Sequence, residues 1–378
     1  MSAIAFAPAA DLGPLAPLRD QVRAFIAAEA PEPQTHAYLG GDDPAFSRKL
    51  GALGWIGMCW PKRYGGGEHS MLERFTVAEE LLVARAPLGT HWIADRQAGP
   101  LLLKFGTEEQ RQAILPRIIA GECRFCIGMS EAGSGSDLAS VRTNAKRVEN
   151  GFVLNGSKIW TSGADQSDYM IVLCRTAPRS EARHEGLSQL LLDLRTPGVR
   201  IRPIRNLLGE ADFTEIFFDD VIVPDSALLG REGDGWKQVN SELALERAGP
   251  ERFLSSFSLI VALIDAVGRH PSEHCAIAVG MLAAQLAVVR RLACSVATMQ
   301  QAGDLAPIQA ALVKDIGTSL EQEICETIRA LACVEPDYFA GSGLGKAVGE
   351  VLLRMPSFSI RGGTREVLRG VIAKGLGV

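Results

Sequence analysis

The chain has 378 residues, 47% of them apolar, and a formal net charge of −5 at pH 7. That length exceeds a single compact core and implies two or three domains, with ample apolar surface to bury. The mild negative charge and the lack of a basic block argue against nucleic acid as a partner.

The first residues are rich in Ala and Pro, carry Asp11, and lack the basic start and apolar core of a signal peptide. From there to about residue 122, stretches of helical period alternate with Gly/Pro breaks. They run from Leu15 to Ala30, Ala45 to Gly54, Met71 to Ala84, Thr90 to Phe105 and Glu108 to Ala120. Thr107 followed by Gln110 predicts a capping box, because the hydroxyl and the amide can satisfy free N–H groups at a helix start. Cys123 and Cys126 form a lone C-x-x-C with no second pair or nearby histidines, so no metal is expected. Reduced cysteines in the cytoplasm are the simpler account. From Cys123 to about Val223 the pattern changes to short β-rich runs. Phe152–Leu154, Tyr169–Cys174, Ser188–Asp193, Val199–Arg202 and Thr214–Phe218 read as strands, separated by Gly, Asn, Asp and Pro. Glu149-Asn-Gly151 reads as a hairpin turn. Beyond Gly233 helical periodicity returns over 233–268, 273–302, 305–333, 344–354 and 364–374. No charge-free apolar run reaches the ~20 residues of a membrane helix, so a soluble protein without a membrane partner is expected. Helices, a β insert and helices again predict an α+β fold in three domains, 1–122, 123–228 and 229–378.

Two segments inside the β-rich region carry the chemistry. Ser130-Glu-Ala-Gly-Ser-Gly-Ser-Asp137 is a turn whose glycines, Gly133 and Gly135, let backbone approach a ligand where a Cβ would collide. Asn155-Gly-Ser-Lys-Ile-Trp-Thr-Ser162 follows it with a large flat ring, Trp160, and a hydroxyl, Ser162. Hydroxyls of Ser130, Ser136 and Ser162 can bind ring heteroatoms or a pyrophosphate, and Trp160 can stack. The alternatives are that Trp160 is an ordinary packed core residue and that Ser136 is a helix cap. A nucleotide-fold reading of Gly133-Ser-Gly135 fails, because no βαβ unit surrounds it.

Together these segments resemble the flavin-binding part of the acyl-CoA dehydrogenase family. Other pieces are similar to that family in the expected order: Leu53-Gly-Trp-Ile-Gly-Met58 with Pro61 and Tyr64-Gly-Gly-Gly67, Phe105 to Arg111, Leu115 to Glu122, Asp219-Asp-Val-Ile-Val-Pro224, Gly230 to Trp236, and Gly362-Gly-Thr-Arg-Glu-Val-Leu-Arg369. The resemblance implies an N-terminal helical domain, a central antiparallel β-barrel-like domain and a C-terminal four-helix bundle. It implies FAD as cofactor, held by Ile127, Met129, Ser130, Gly135, Ser136, Trp160 and Ser162. It also implies an acyl-CoA substrate, an electron-transfer flavoprotein as electron acceptor, and a tetramer.

Dehydrogenating an acyl thioester needs a base for the α-proton, a flavin to take the β-hydride at N5, and donors for the enolate-like oxygen. Many family members place the base just before the Gly-Thr of the carboxy-terminal signature. Here that place is Gly362, which keeps only the backbone N–H that donates to the thioester oxygen in the family. The isovaleryl-type branch supplies its base from Leu-Glu-Arg on the first long helix after the β domain, and this chain has Leu245-Glu246-Arg247 there. The resemblance therefore implies Glu246 as base and hints at branched, bulky or ring-bearing acyl groups. Pro250 adds a physical point, since it has no N–H to offer the carbonyl of Glu246. The competing reading pairs Glu246 with Arg247 or Arg252 on a solvated helix. Glu242, one turn earlier, is the weaker alternative base, and Glu366 reads as a structural carboxylate.

The region between about Gly268 and Gly349 departs from the family. An expected Arg-x-x-Phe-Gly, whose arginine reaches the partner's flavin pyrophosphate, is replaced by Ala266-Val-Gly-Arg-His-Pro-Ser-Glu-His274. A Gln-x-x-Gly-Gly-x-Gly segment is also missing. Arg269, Arg290 and Arg291 are the substitutes at hand for the lost charge. Two alternatives stay open: a flavin-poor or half-site subunit of a heteromeric tetramer, and a flavin oxidase or monooxygenase of the same fold.

Overall fold

The computed structural model describes residues 4–8, 10–32, 41–332 and 334–378. In chain order its principal helices are α1 Ala16–Glu29, α2 Pro44–Ala52, α3 Met71–Val83, α4 Gly89–Ile93, α5 Gly99–Phe105 and α6 Glu108–Ile119. Strands β1 Phe125–Gly128, β2 Asn144–Val148, β3 Gly151–Ser162, β4 Tyr169–Arg175, β5 Leu187–Asp193, β6 Val199–Ile204 and β7 Phe213–Pro224 follow. Helices α7 Gly235–Glu246, α8 Phe257–Val267, α9 Glu273–Gln301, α10 Pro307–Ala332, α11 Leu344–Phe358 and α12 Arg365–Leu376 complete the chain. The α+β class and its helix–sheet–helix order are as the sequence predicts.

Two compact units result, one from residues 1–40, 70–86 and 244–378, the other from residues 41–69 and 87–243. In the second unit local sequence sets the helix starts. Asp43 caps α2 ahead of Pro44, and Thr107 with Gln110 forms the expected capping box of α6. The sheet runs β1-β4-β2-β3-β7-β6, with β5 on the far side of β4. The β2–β3 hairpin turns at Glu149 and Asn150, where Asn150 takes φ 63°, a conformation that asparagine tolerates better than most residues. Phe152, Leu154, Met170, Val172, Leu190, Leu192, Ile216 and Val221 fill the space against the sheet.

Two strands lie outside the sequence reading. β1 is only four residues and mostly buried, so it lacks the period-2 alternation that marks a half-buried strand. β2 carries Lys146 and Arg147 on a largely exposed surface and pairs through its backbone with β3. The helix expected over Thr90–Phe105 is interrupted by a π turn, Ala94–Ala98, in which Asp95, Arg96 and Gln97 are all buried.

The first unit packs α8, α9, α10 and α11 around Leu259, Leu263, Val289, Val313, Leu320, Ile324, Ile328 and Val348, with Phe75 of α3 joining them. The single helix expected over 233–268 is two: α7 stops at Glu246, a turn at Pro250–Arg252 intervenes, and α8 starts at Phe257. Proline explains the stop, since it has no N–H and its ring disfavours the helical conformation of the residue before it. Among the described residues, α9 is the one helix long and apolar enough to cross a membrane by length and composition. It carries Arg290, whose guanidinium holds Glu79 of α3 at 2.5 and 2.8 Å. Ile277, Met281 and Val288 of α9 and Val261 and Ile264 of α8 are exposed.

Gly317 lets the backbone of α10 approach the Pro250–Arg252 turn closely. A Cβ there would meet the Arg252 carbonyl oxygen at 2.5 Å and the Phe253 Cβ at 3.2 Å. Backbone cannot yield cheaply, so Gly317→Ala should destabilise the protein by about 1–3 kcal/mol in urea unfolding, despite alanine's better helix propensity. A variant as stable as the parent would show that the approach is looser than drawn.

Candidate active site

Two constellations contain the residues singled out by sequence, one in each unit. In the second unit a buried ion pair builds the first. Lys158 of β3 is 0% exposed at its side chain and donates to Glu131 Oε1 at 2.8 Å and to the Met129 carbonyl at 3.0 Å. Glu131 also accepts from the backbone N–H groups of Arg142 and Thr143 at 2.7 and 2.9 Å. Burial pushes the Glu131 carboxyl up, but the Lys158 charge and these hydrogen bonds outweigh it and hold the group below the usual carboxylate range. The Ile159 N–H donates to the Ser130 carbonyl at 2.9 Å. Loop and strand, far apart in sequence, are thereby stapled together, with Met129 and Ser130 beside the approach to Trp160.

Trp160 is 57% exposed, which a packed core residue would not be. It sits at φ +61°, where the β3–β7 register shifts between Lys158 and Thr161, and Phe213 meets it edge-on at 6.1 Å. A non-glycine residue held there stores roughly 1–3 kcal/mol of strain, a feature that clusters at ligand sites. The hydroxyl of the next residue, Thr161, is buried with no hydrogen-bond partner among the described residues. Beside Gly133 and Gly135 the space a Cβ would enter is open. Ser136 is exposed, and the cap position of the short turn Leu138–Ser140 is Asp137, not Ser136. Ser162 lies partly buried at the end of β3, and Ile127 and Gly135 lie on the preceding strand and loop. An exposed strained ring, an orphan hydroxyl and an open glycine-bearing turn fit a planar, phosphorylated cofactor. Cys123 and Cys126 are both buried, and burial pushes each thiol up to about 12.

The first unit holds the second constellation. Glu246 ends α7, and its carboxylate pairs with Arg252, the two side chains being 14% and 1% exposed. The pairing with Arg252 is as the competing sequence reading had it, but the setting is not a solvated helix face. Gly362 lies against this pair: a Cβ on it would be 3.1 Å from both Glu246 Oε1 and Arg252 Nη2. Gly362 and Gly363 have φ of 68° and 100°, a left-handed run open to glycine at little cost. Arg247 Nε donates to the Gly362 carbonyl at 3.3 Å, and buried Lys314 of α10 to that of Gly363 at 2.9 Å. Arg361 anchors the loop from the other side, donating to Glu321 at 3.1 Å and to the Ser255 hydroxyl at 2.6 Å. The structure thus brings Glu246 and Gly362 together.

Glu242 stands elsewhere. It is buried in the second unit, accepting from Gln97 Nε2 at 3.0 Å and Gln189 Nε2 at 3.4 Å. Glu366 is exposed in the first turn of α12, where the N-terminal end of a helix favours a carboxylate. Arg290 is bound to Glu79 within its own unit, while Arg269 and Arg291 are exposed. Lys158, Lys314, Glu321 and Arg361 were not singled out from sequence, and Arg252 only as a surface partner for Glu246. For two of them a signal existed: Lys314 and Glu321 fall on the buried stripe of α10 with Ala310, Val313, Gly317 and Ile324. A charge at a core position asks for a partner.

Comparison with known proteins matches three family models: acyl-CoA dehydrogenase, N-terminal domain, over residues 16–122; middle domain, over 126–221; and C-terminal domain, over 265–377. The chain is similar to acyl-CoA dehydrogenase FadE34 of Mycobacterium tuberculosis, 32% identical over 97% of this chain and 49% of that protein. It spans about half the length of the curated relatives it matches. Among solved structures it is similar to the Tcur3481-Tcur3483 steroid ACAD, with 29% identity, a TM-score of 0.86 and coverage of 98% of both chains. It is likewise similar to the ChsE4-ChsE5 complex of Mycobacterium tuberculosis, with 28% identity, a TM-score of 0.84 and coverage of 100% of this chain and 99% of that one.

The basic excess around the glycine loop has a measurable consequence. Lys314 is pushed down from 10.5 to about 7, first by burial and then by Arg252 and Arg361, against the pull of Glu246 and Glu321. Between those two values the unfolded chain binds a proton that the folded protein has released, so stability rises with pH across the window. Urea unfolding should show that rise in the parent and a flatter profile in Lys314→Met. An identical slope in both proteins would mean that Lys314 titrates normally.

Proposed function

The chain belongs to the acyl-CoA dehydrogenase family, and from that premise we propose that it catalyses the flavin-dependent α,β-dehydrogenation of an acyl-CoA thioester. The observation that carries this reading is the Glu246 carboxylate, largely buried and set against the Gly362–Gly363 loop, where a side chain at 362 would otherwise stand. In this reading Glu246 accepts the α-proton as the C–H bond breaks, and the Gly362 N–H steadies the thioester oxygen. Ser130, Ser136 and Ser162 supply hydroxyls, and Trp160 a stacking face, for FAD. Bound there, the flavin supplies the two-electron acceptor for the β-hydride.

The finer parts of the reading have their own support. The base position and the likeness to a steroid ACAD support a bulky or ring-bearing acyl group. Buried free cysteines such as Cys126, Cys174 and Cys294 support the reducing cytoplasm. An electron-transfer flavoprotein is the acceptor that the family resemblance suggests. The exposed apolar side chains of α8 and α9 support assembly with further subunits, as a homotetramer or a heterotetramer.

A second reading makes this chain the half-site subunit of a mixed tetramer. Arg290 favours it, because a guanidinium already committed to Glu79 is poorly placed to replace the missing pyrophosphate arginine. The likeness to two assemblies of paired chains adds support. Purifying the single chain and recording its visible spectrum separates the two: stoichiometric yellow flavin supports the self-sufficient enzyme, and a colourless, folded protein the partner-dependent subunit.

The catalytic claim is tested by anaerobic titration with a panel of acyl-CoA thioesters, in which a substrate bleaches the flavin. Glu246→Gln should keep the flavin and lower turnover by about 10²–10⁴-fold, since an amide cannot take the proton. Normal turnover in that variant would remove Glu246 from the mechanism, and rapid reoxidation of reduced flavin by air would reassign the chemistry to an oxidase.

A further inference from the structure

Pro250 follows Glu246 by four residues, so the carbonyl of Glu246 has no helical N–H to accept from. The structure shows what takes that place. Arg252 Nε donates to the Glu246 carbonyl at 3.0 Å, while Nη2 of the same guanidinium holds the Glu246 carboxylate. One planar fork therefore grips both the backbone and the side chain of one residue.

Arg252 is itself immobilised. It is 1% exposed, and Glu251 Oε1 lies 3.7 Å from its Nε. Its carbonyl abuts Gly317 of α10, where a Cβ would intrude to 2.5 Å. The Glu251 carboxylate folds back over Gly249, whose missing Cβ would lie 2.0 Å from Oε2. Gly362 closes the remaining side, 3.1 Å from Arg252 Nη2 at its Cβ position.

We infer that Arg252 is the positioning residue for the base: it holds the Glu246 carboxylate in place against the glycine loop. This rests on the reading of Glu246 as base. A carboxylate on an unsupported helix end would sample several rotamers, whereas one rigid guanidinium that holds both the Glu246 carbonyl and its Oε1 ties the side chain to its own backbone. Arg252 is not itself placed against substrate. The other charged groups around this pair are Arg247, just past the end of α7, Lys314 on α10 and, beside Lys314, Arg361 ahead of the glycine loop, with Glu251 and Glu321 opposing them.

The test compares Arg252→Met, Arg252→Lys and Glu246→Gln in the full-length, flavin-loaded protein, with the thioester that bleaches the parent most fully. Arg252→Met should lower kcat by about 10–100-fold, the scale of a misaimed catalytic group, and leave KM within about threefold. The acid limb of its kcat profile should move to higher pH, because the carboxylate loses its nearest positive charge. Arg252→Lys should recover the limb position better than kcat, since an ammonium returns the charge but not the fork. A readout without turnover uses infrared difference spectra against Glu246→Gln, where the protonated carboxyl band should persist to higher pH in Arg252→Met. Should Arg252→Met fail to fold, Arg252→Lys carries the comparison through its kcat and limb position. Loss of activity in Glu246→Gln, combined with parental kcat, pH limb and infrared titration in the arginine variants, overturns the inference while leaving the base in place. Retained activity in Glu246→Gln sinks the underlying reading instead.

Discussion

A proline with no proton to donate leaves the end of α7 open, and the organisation of the first unit's charged centre follows from how that opening is filled. Arg252 supplies the missing donor and takes the neighbouring carboxylate at the same time. Burying a guanidinium requires that its surroundings admit it, which they do through glycines: Gly317 under its carbonyl, Gly249 under Glu251, and Gly362 beside its fork. Four basic side chains, Arg247, Arg252, Lys314 and Arg361, then face three carboxylates, Glu246, Glu251 and Glu321. Burial first, and then the neighbouring positive charges, depress Lys314.

The second unit reaches its organisation by a different device. One buried lysine joins a glycine- and serine-bearing loop to the strand that ends in Trp160, through Glu131 and the Met129 carbonyl. Removing either charge would strand the other in an apolar setting, a cost of about 3–5 kcal/mol for a buried pair. That penalty makes the loop position firm enough to hold a strained tryptophan outward. A ring left exposed on a positive φ, next in sequence to an orphaned threonine hydroxyl, is costly unless something covers it, and a flat cofactor is what the setting suits.

Much of this could be read before any fold was known, and the reason differs by element. Capping chemistry at Thr107 and Gln110 is local, so the start of α6 is written in four residues. The Asn150 turn is local in the same sense. β1 and the π turn at Ala94–Ala98 were missed because the one is mostly and the other wholly buried, and burial removes the alternation or period that periodicity reading relies on. Arg252 was considered only as a surface partner for Glu246. Its burial depends on Gly317 and Gly362, residues 65 and 110 positions further along the chain, and no local window contains them.

The sequence by itself determined the order of helices and strands, the family they follow, and the residue types at the two constellations, because each rests on short-range periodicity or on a contiguous motif. Only the tertiary structure decided that Glu246 meets Gly362, that Arg252 rather than Arg247 holds its carboxylate, and that Lys314 and Glu321 join the same buried network. Those outcomes depend on which surfaces glycines allow to touch, and on how a surplus charge is shared once water has been excluded, quantities that no stretch of chain specifies until its distant neighbours have packed against it.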